Sequence, residues 1–571
     1  MTIDYSAIPG TTHLVELEEK KKDIVLIPTP SDDPNDPLNW TKSRKYLHMF
    51  CMVLYVFATG IPGTCIYSIL TNIAASDGIH ITVAELNAGT GYNFLFLGLG
   101  CLIFQPLAMQ YGKRPVYLFS TISCAMLGLW QPFIKSNGVW IIAKILAGIV
   151  TAPIEALPEA TISDLFFEHE RATYMGIYAC SLFGSNYIAP LVAGFINQNS
   201  QNLAVGGWRW VIFWAVIFCS VSFLFLFFFM EETNYERRLR VKKDHDGHAI
   251  AVITSNGTIS GNNDDKKASL TVKVTSKGVS EEDVDSEHNG SNLGGNLGNL
   301  AQLVDADEPI EYDAPKTFMQ KLSLTSGVKS QFLLWEYFKT PFLMCQFPIV
   351  LWCGFLYGSS LFWYTVLNAT EALVLGAAPY NFSSSMCGLA YLSPCIFVVI
   401  IYFYAGWITD WLKIRFAKKR GGLSHAEDRL WALSVYAILG PCSLILWGVG
   451  AYNGIHWFGV VFGLGLMAGL CIIGCVNAVT YVIDCYHEVS CEAMATVIVI
   501  RNTMSFAMGY GITPWIENQG LKKTFIAAAF ICLFCIGTFT VMLKTGYYWR
   551  DKTKHKYWKL IEHRRSLGIG H

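Results

Sequence analysis

Apolar and polar residues along the chain fall into long blocks, with little of the short alternation of strands or of surface helices. Stretches long enough to cross a hydrocarbon core, about 20 mostly apolar residues, lie near 46–70, 88–109, 115–134, 139–162, 174–197 and 209–230. After a polar interruption they resume near 342–366, 385–408, 430–451, 457–483, 493–515 and 523–544. Each block predicts a membrane-spanning helix. The expectation is an all-α membrane protein with 12 spans in two six-helix bundles. The expected parts are a polar tail over 1–45, a first bundle over 46–235, a linker over 236–341, a second bundle over 342–545 and a basic tail over 546–571.

Composition supports this. Of the 571 residues 53% are hydrophobic and 15% charged, where soluble domains are about a quarter charged. Mean hydropathy is +0.37. A net charge of −1 leaves no basic field to hold a nucleic-acid backbone. The 17 cysteines are scattered through apolar runs; the lone Cys532-Leu-Phe-Cys535 pair lies inside one, where free cysteine acts as a small hydrophobe. Residues 1–45 are polar, with Glu16, Glu18, Glu19 and Lys20 to Lys22, so the first span is expected to double as the targeting signal.

Cytoplasmic loops carry an excess of Lys and Arg. That excess sits at Lys113, Arg114, Arg171, Arg237, Arg238, Arg240, Lys413, Arg415, Lys418, Lys419 and Arg420. Loops 71–87 and 367–384 have none; Lys522 and Lys523 are the exception. Both termini are therefore expected to be cytoplasmic. Two sequons, at Asn368 and Asn381, fall in the expected outside loop after span 7 and are candidate glycosylation sites. Those at Asn256 and Asn289 fall on the inside. The linker is Gly- and Asn-rich over 289–299 between acidic runs, which predicts partial disorder. Over 318–338, Leu333, Leu334, Trp335 and Tyr337 mix with Lys321 and Lys329. The stretch reads as an interfacial helix or a soluble connector.

Motifs then narrow the class. Pro106-Leu107-Ala108-Met109-Gln110-Tyr111-Gly112-Lys113-Arg114-Pro115, between spans 2 and 3, resembles the loop signature G-x-L-x-D-R-x-G-R-[RK] of the major facilitator superfamily. Met109 and Gln110 replace its Asp-Arg. Gly406-Trp407-Ile408-Thr409-Asp410 stands at the equivalent place of the second half and keeps the acid. By that resemblance the loop is a cytoplasmic latch, expected to be weaker in the first half. Lys144-Ile145-Leu146-Ala147-Gly148 is similar to the family's R-x-x-x-G element. Gly184 with Ala189-Pro190-Leu191-Val192-Ala193-Gly194 is similar to the antiporter motif of drug:proton exchangers. Its small residues allow close helix approach. The segments at 33–40, 163–171, 207–210 and 231–235 resemble the twelve-span drug:proton antiporter branch of fungi. Within it they are most like the yeast subgroup implicated in histidinol, organic-cation and polyamine uptake.

Charges inside spans are costly unless they face a cavity or a partner. Span 4 holds Lys144, Glu155 and Glu159, and span 11 holds Arg501. Lys144 and Glu155 return to nearly one helix face but lie roughly 16 Å apart along it, so they do not neutralise each other. Glu159 is one turn further. Pro153 and Pro158 bracket Glu155, and the loosened helix is expected to offer backbone carbonyls to a ligand. A carboxyl in a low-dielectric cavity exchanges protons near neutral pH and, once ionised, attracts a cation. The subgroup resemblance also implies an acid at Glu155. The bland alternative is a structural bond between Glu155 and another helix. Arg501 is either that counter-charge or a partner for Asp484, and Asn477 with Tyr481 lines span 10. Tyr357, Trp363, Tyr364 and Tyr391 form a candidate cation–π cage, with Tyr357 the best placed; interface belts are the alternative.

The sequence has no nucleotide fingerprint, metal-ligand spacing or Ser/His/Asp set, so it reads as no enzyme and no cofactor or metal is expected. Without a nucleotide site, energy is expected from an ion gradient. The reading is a monomeric, proton-coupled plasma-membrane carrier of small organic, cationic solutes. Its partners would be substrate, protons and the bilayer. Import by symport and export by antiport both remain open, as does a non-transporting nutrient sensor.

Overall fold

The apolar blocks become helices, because a bilayer holds no water to satisfy backbone N–H and C=O groups. The computed structural model describes residues 8–13, 33–76, 78–202, 206–235, 240–243, 249–252, 272–274, 304–305, 316–324, 328, 332–420 and 423–567. The first half comprises α1 (Lys42–Thr64), α2 (Val83–Tyr111), α3 (Lys113–Trp130), α4 (Asn137–Thr151), α5 (Pro153–Leu165), α6 (Glu168–Asn199) and α7 (Gly207–Phe229). The second comprises α8 (Leu334–Met344), α9 (Pro348–Gly376), α10 (Ser384–Ala390), α11 (Leu392–Lys419), α12 (Leu433–Tyr452), α13 (Trp457–Cys485), α14 (Ser490–Gln519), α15 (Leu521–Gly537) and α16 (Phe539–Ser566).

Among the described residues, 11 helical stretches are long and apolar enough to cross a membrane. The 30-residue α14 is not among them, because its middle, with Arg501, Asn502 and several small polar residues, is not apolar enough. Large apolar side chains such as Phe228, Phe403, Phe530 and Phe534 lie exposed on the outer surface, as a lipid-facing surface requires. Loops alternate between two ends. One end carries the linker and is called the linker end; the other carries Asn381 and is called the sequon end.

Most of 236–341 lies outside the described residues. Four short strands within it pair in the order Val272–Val274, Ala249–Val252, Arg240–Lys243, Val304–Asp305. The expected helix over 318–338 is instead a single turn, Phe318–Lys321, with α8 beginning at Leu334. Near the N-terminus, Thr11–His13 pairs antiparallel with Leu423–His425. Asp36 caps the turn Pro37–Asn39 by accepting from the Leu38 N–H at 3.0 Å, and Lys45 Nζ donates to Leu38 O at 3.0 Å. The Asp-Pro-rich segment thereby anchors the foot of α1.

Two close crossings join the halves. Where α2 meets α14, a Cβ on Gly91 would lie 3.4 Å from the Cα of Gly509, and one on Gly98 would meet the Asn502 side chain at 2.8 Å. Where α6 meets α10, a Cβ on Gly388 would lie 3.1 Å from the Cα of Gly194 and 2.9 Å from Leu191 O. Small residues let these backbones approach, as in other membrane helix pairs. Gly194 and Pro190 of the expected antiporter motif therefore form part of the seam, while Gly184 makes only ordinary contact with the Phe57 ring.

The linker-end motif is held differently from expectation. Gly112 ends α2 at φ 113°, a conformation open to glycine. The Glu232 carboxylate accepts from the N–H groups of Lys113 and Arg114, both at 3.0 Å, where a helix N-terminus favours an anion. Lys113 Nζ pairs with Asp164 at 2.5 Å, and Arg114 donates to Phe227 O at 2.8 Å. The acid missing from the motif is supplied by neighbouring helices, so the expected weak latch is corrected: both cations are buried and partnered. In the second half, 406–410 is not a loop, since α11 runs on to Lys419. Gly406 meets nothing within 4 Å, and the side chain of Asp410 lies outside the described residues.

The sequon reading also changes. α9 continues to Gly376, so Asn368 lies within a helix and is 4% exposed. A buried amide has no room for a glycan, and this candidate is withdrawn. Asn381 is exposed in the following loop. With that loop outside the cell, Asn381→Gln is expected to abolish any glycosidase-sensitive mobility shift of the membrane protein on a gel, and Asn368→Gln to leave it unchanged.

Candidate substrate cavity

Span 4 is two helices. Pro153 opens α5 after Ala152, because proline suits the first helical position and lacks the N–H that continuation of α4 needs. The freed carbonyls do not wait for a ligand, contrary to the sequence expectation. The Cys101 thiol donates to Ala152 O at 3.3 Å. The Tyr178 hydroxyl reaches Ile154 O, left without a donor by Pro158, at 2.9 Å, and Glu155 O at 3.3 Å. The break is fully satisfied and turns Glu155 inward.

Between the halves lies a cavity of about 130 Å³. Lys144, Glu155, Tyr357, Asn368, Arg501 and Asn502 supply its chemistry. Among its described lining residues Glu155 is the one carboxyl. Arg501 of α14 forms an ion pair with Glu155, and Asn502 Nδ2 donates to the other carboxylate oxygen at 3.3 Å. Arg501 also donates to Tyr357 Oη at 3.1 Å and stands 4.8 Å from the ring centroid. Glycines place it: a Cβ on Gly358 would lie 3.2 Å from the Arg501 Cα, and Gly98 flanks Asn502 from the other half. Gly148 plays the same part under the cavity, where its Cβ would lie 3.1 Å from Leu97 N.

Every other ion pair between described residues of the two bundles stays within one bundle. Examples are Lys113–Asp164, Arg420–Asp428, Arg429–Asp484, Arg550–Glu427 and Arg564–Glu492. Glu155–Arg501 is the described pair that crosses between them. Of the two partners open to Arg501, the structure selects Glu155; Asp484 pairs with Arg429 at 2.9 Å.

The remaining candidates divide. Lys144 is buried at the sequon end of the cavity, 4.5 Å from the Trp140 ring centroid. It has no acidic partner among the described residues. Glu159 is half-buried one turn nearer the linker end and does not line the cavity. Asn477 is corrected: it is fully buried inside the second bundle and donates back to Ile473 O at 2.8 Å. The cage is reduced: Tyr357 and Tyr364 line the cavity, with Arg501 over the Tyr357 ring, while Trp363 and Tyr391 do not line it. Sequence reading missed Glu371, which is fully buried on α9. Ending span 7 at 366 hid it in a loop; Leu367, Ala369, Ala372 and Leu373 were the apolar signal that the helix continues.

Two bundles around a central cavity with a few buried charges form the architecture of an alternating-access secondary transporter. Residues 49–514 match the family model described as Major Facilitator Superfamily. The chain belongs to that superfamily and is a multi-pass membrane transporter, not an enzyme. It is 29% identical to the Schizosaccharomyces pombe protein named Uncharacterized MFS-type transporter C1271.10c, over 96% of this chain and 92% of that one. It is 27% identical to Protein HOL1 of Saccharomyces cerevisiae over 91% and 89%, and 23% identical to MFS antiporter QDR3 of Candida albicans over 95% and 83%. The fold matches the xylose transporter XylE from E. coli with a TM-score of 0.55 at 11% identity, covering 88% and 98%.

Removing one member of a buried pair strands the other charge, at a cost of about 3–5 kcal/mol. Arg501→Met is therefore expected to lower the unfolding temperature of the purified protein. Glu155→Gln in the same chain is expected to restore most of the loss. Equal losses in the single and double variants would show that the two side chains are not coupled.

Proposed function

We propose that the protein is a proton-coupled carrier of small organic cations and that Glu155 is the group that exchanges proton for cation. The observation that carries this is the pair itself: the cavity's carboxyl is bonded across the bundle boundary to a guanidinium that also lies against an aromatic ring. Carboxylate and ring together form a cation site, which the protein's own Arg501 occupies. A substrate ammonium offers the same chemistry and competes for the same atoms. Protonation of Glu155 removes the attraction for either cation, so loading, release and the hold between the bundles depend on one proton.

In this reading α14 is the twelfth span, and its polar residues are kept because they face a cavity and not lipid. The linker end is cytoplasmic, from the Lys and Arg distribution, and the membrane is the plasma membrane. Lys144 keeps the other end of the cavity positive, which favours solutes whose cationic group docks at Glu155. The name of QDR3 supports antiport, while the subgroup resemblance supports uptake. The same residues serve both, since alternating access is reversible.

Glu155→Gln keeps the shape and hydrogen-bonding capacity of the side chain, so the variant is expected to reach the membrane. In vesicles its pH-gradient-driven flux of a labelled polyamine should fall at least about tenfold, because about 1.4 kcal/mol of lost charge interaction suffices for that. Glu159→Gln should do less. Normal flux in Glu155→Gln, or wild-type flux that ignores a collapsed gradient, would refute the coupling.

A further inference from the structure

One buried carboxyl is used by neither the ion pairs nor the exchange at Glu155. Glu371 follows Asn368 on α9 by three residues, which places both on one helix face, and Asn368 lines the cavity. Glu371 therefore stands just beyond the cavity's sequon end. It is completely buried, makes no hydrogen bond of ordinary geometry to a described residue, and has only the neutral Cys387 thiol within weaker reach. Its polar neighbours are the Cys387 thiol on α10 and the Tyr391 phenol. Tyr391 in turn faces Tyr364 and, from the first half, Tyr67.

Among the described residues no cation pairs with it. The neighbouring stretch of α12 offers Trp447, bonded to Thr370 at 3.3 Å, and α13 and α14 offer the uncharged stretches 457–465 and 508–513. The short helix Leu70–Ala74 is uncharged as well. Glu517, Lys522 and Lys523 are exposed at the surface. Lys144 and Arg501 line the cavity, and neither bonds Glu371.

This is also where the bundles close over the cavity. Ser384 Oγ bonds Asn72 Oδ1 at 2.9 Å, Asn197 Nδ2 donates to Ser384 Oγ at 3.0 Å, and Asn87 Nδ2 donates to Ala369 O at 3.4 Å. A carboxylate ionised in such surroundings, with no described cation beside it, is strongly disfavoured. We propose that Glu371 is a second proton-binding site, which holds its proton while the sequon-end seal is closed and releases it when the seal opens. The proton passes from the carboxyl oxygen to water admitted from that end and returns from that water on closing. Because the two states bind different numbers of protons, alkaline medium favours the open seal.

The inference rests on the transport reading, but its test needs no solute. Hydrogen–deuterium exchange of the Ser384–Ala390 amides is followed in the full chain in nanodiscs and corrected for the intrinsic pH dependence of exchange. Protection in the wild type is expected to fall with rising pH, by up to about tenfold per pH unit where the proton is released. In Glu371→Gln it should stay high and flat; Glu371→Asp, which still titrates, should retain the fall. A flat wild-type profile overturns the proposal without any variant, as does a wild-type slope in Glu371→Gln. Either result leaves coupling at Glu155 standing, while loss of that coupling leaves this profile unchanged.

Discussion

A charge inside a bilayer is tolerated only beside a partner or water, and the Glu155–Arg501 pair meets that condition across a boundary that must move. Asn502 and Tyr357 complete the bonds of the pair and do not replace it. Much of the local structure serves to bring these side chains together. The Pro153 break turns Glu155 inward, Tyr178 and Cys101 satisfy the carbonyls of that break, and Gly98 and Gly358 admit the backbone of α14.

The other charges have the opposite role. Glu232 beneath α3, Lys113 with Asp164, and Arg550 in its two bonds to Glu427 at 2.5 and 3.0 Å each tie helices of one half together. Arg564 reaches Glu492 at the start of α14, the helix that carries Arg501. The seams between the halves, by contrast, are glycine crossings and a few neutral hydrogen bonds. Neutral contacts of this kind are remade in water at modest net cost, and a buried ion pair is not. Among the described residues the ion pairs thus tie each half together, and Glu155–Arg501 is the pair that joins the two halves.

Hydropathy alone makes the architecture legible, because the bilayer requires long apolar helices and the sequence has little freedom to hide them. It fails where polarity has a local reason. α14 is polar at mid-length because Arg501, Asn502 and Ser505 line the cavity, and 406–410 is helical although its motif resembles a loop. Glu155 and Arg501 stand out as in-span charges, and their pairing is one of two alternatives the sequence offers. Asn477 does not line the cavity because residue type does not reveal which face of a wholly apolar helix is buried against its own bundle. Glu371 was lost to a span boundary drawn ten residues short of Gly376, the observed end of α9. The carbonyls near Pro153 and Pro158 cannot be read from α5 at all, since their donors come from α2 and α6.

The order of charged groups along the cavity has its own consequence. From the linker end the order is Glu159, outside the cavity lining, then the Glu155–Arg501 pair, then Lys144, with Glu371 behind the closed sequon end. A cation approaching from the linker end meets carboxyls first; one approaching from the sequon end must pass the Lys144 ammonium. The path of approach changes how readily a cation enters and not the affinity of the site in any one state. It does not set the direction of net flow, which belongs to the gradients of proton and solute, since a ligand shifts a conformational equilibrium only by its differential affinity for the two states.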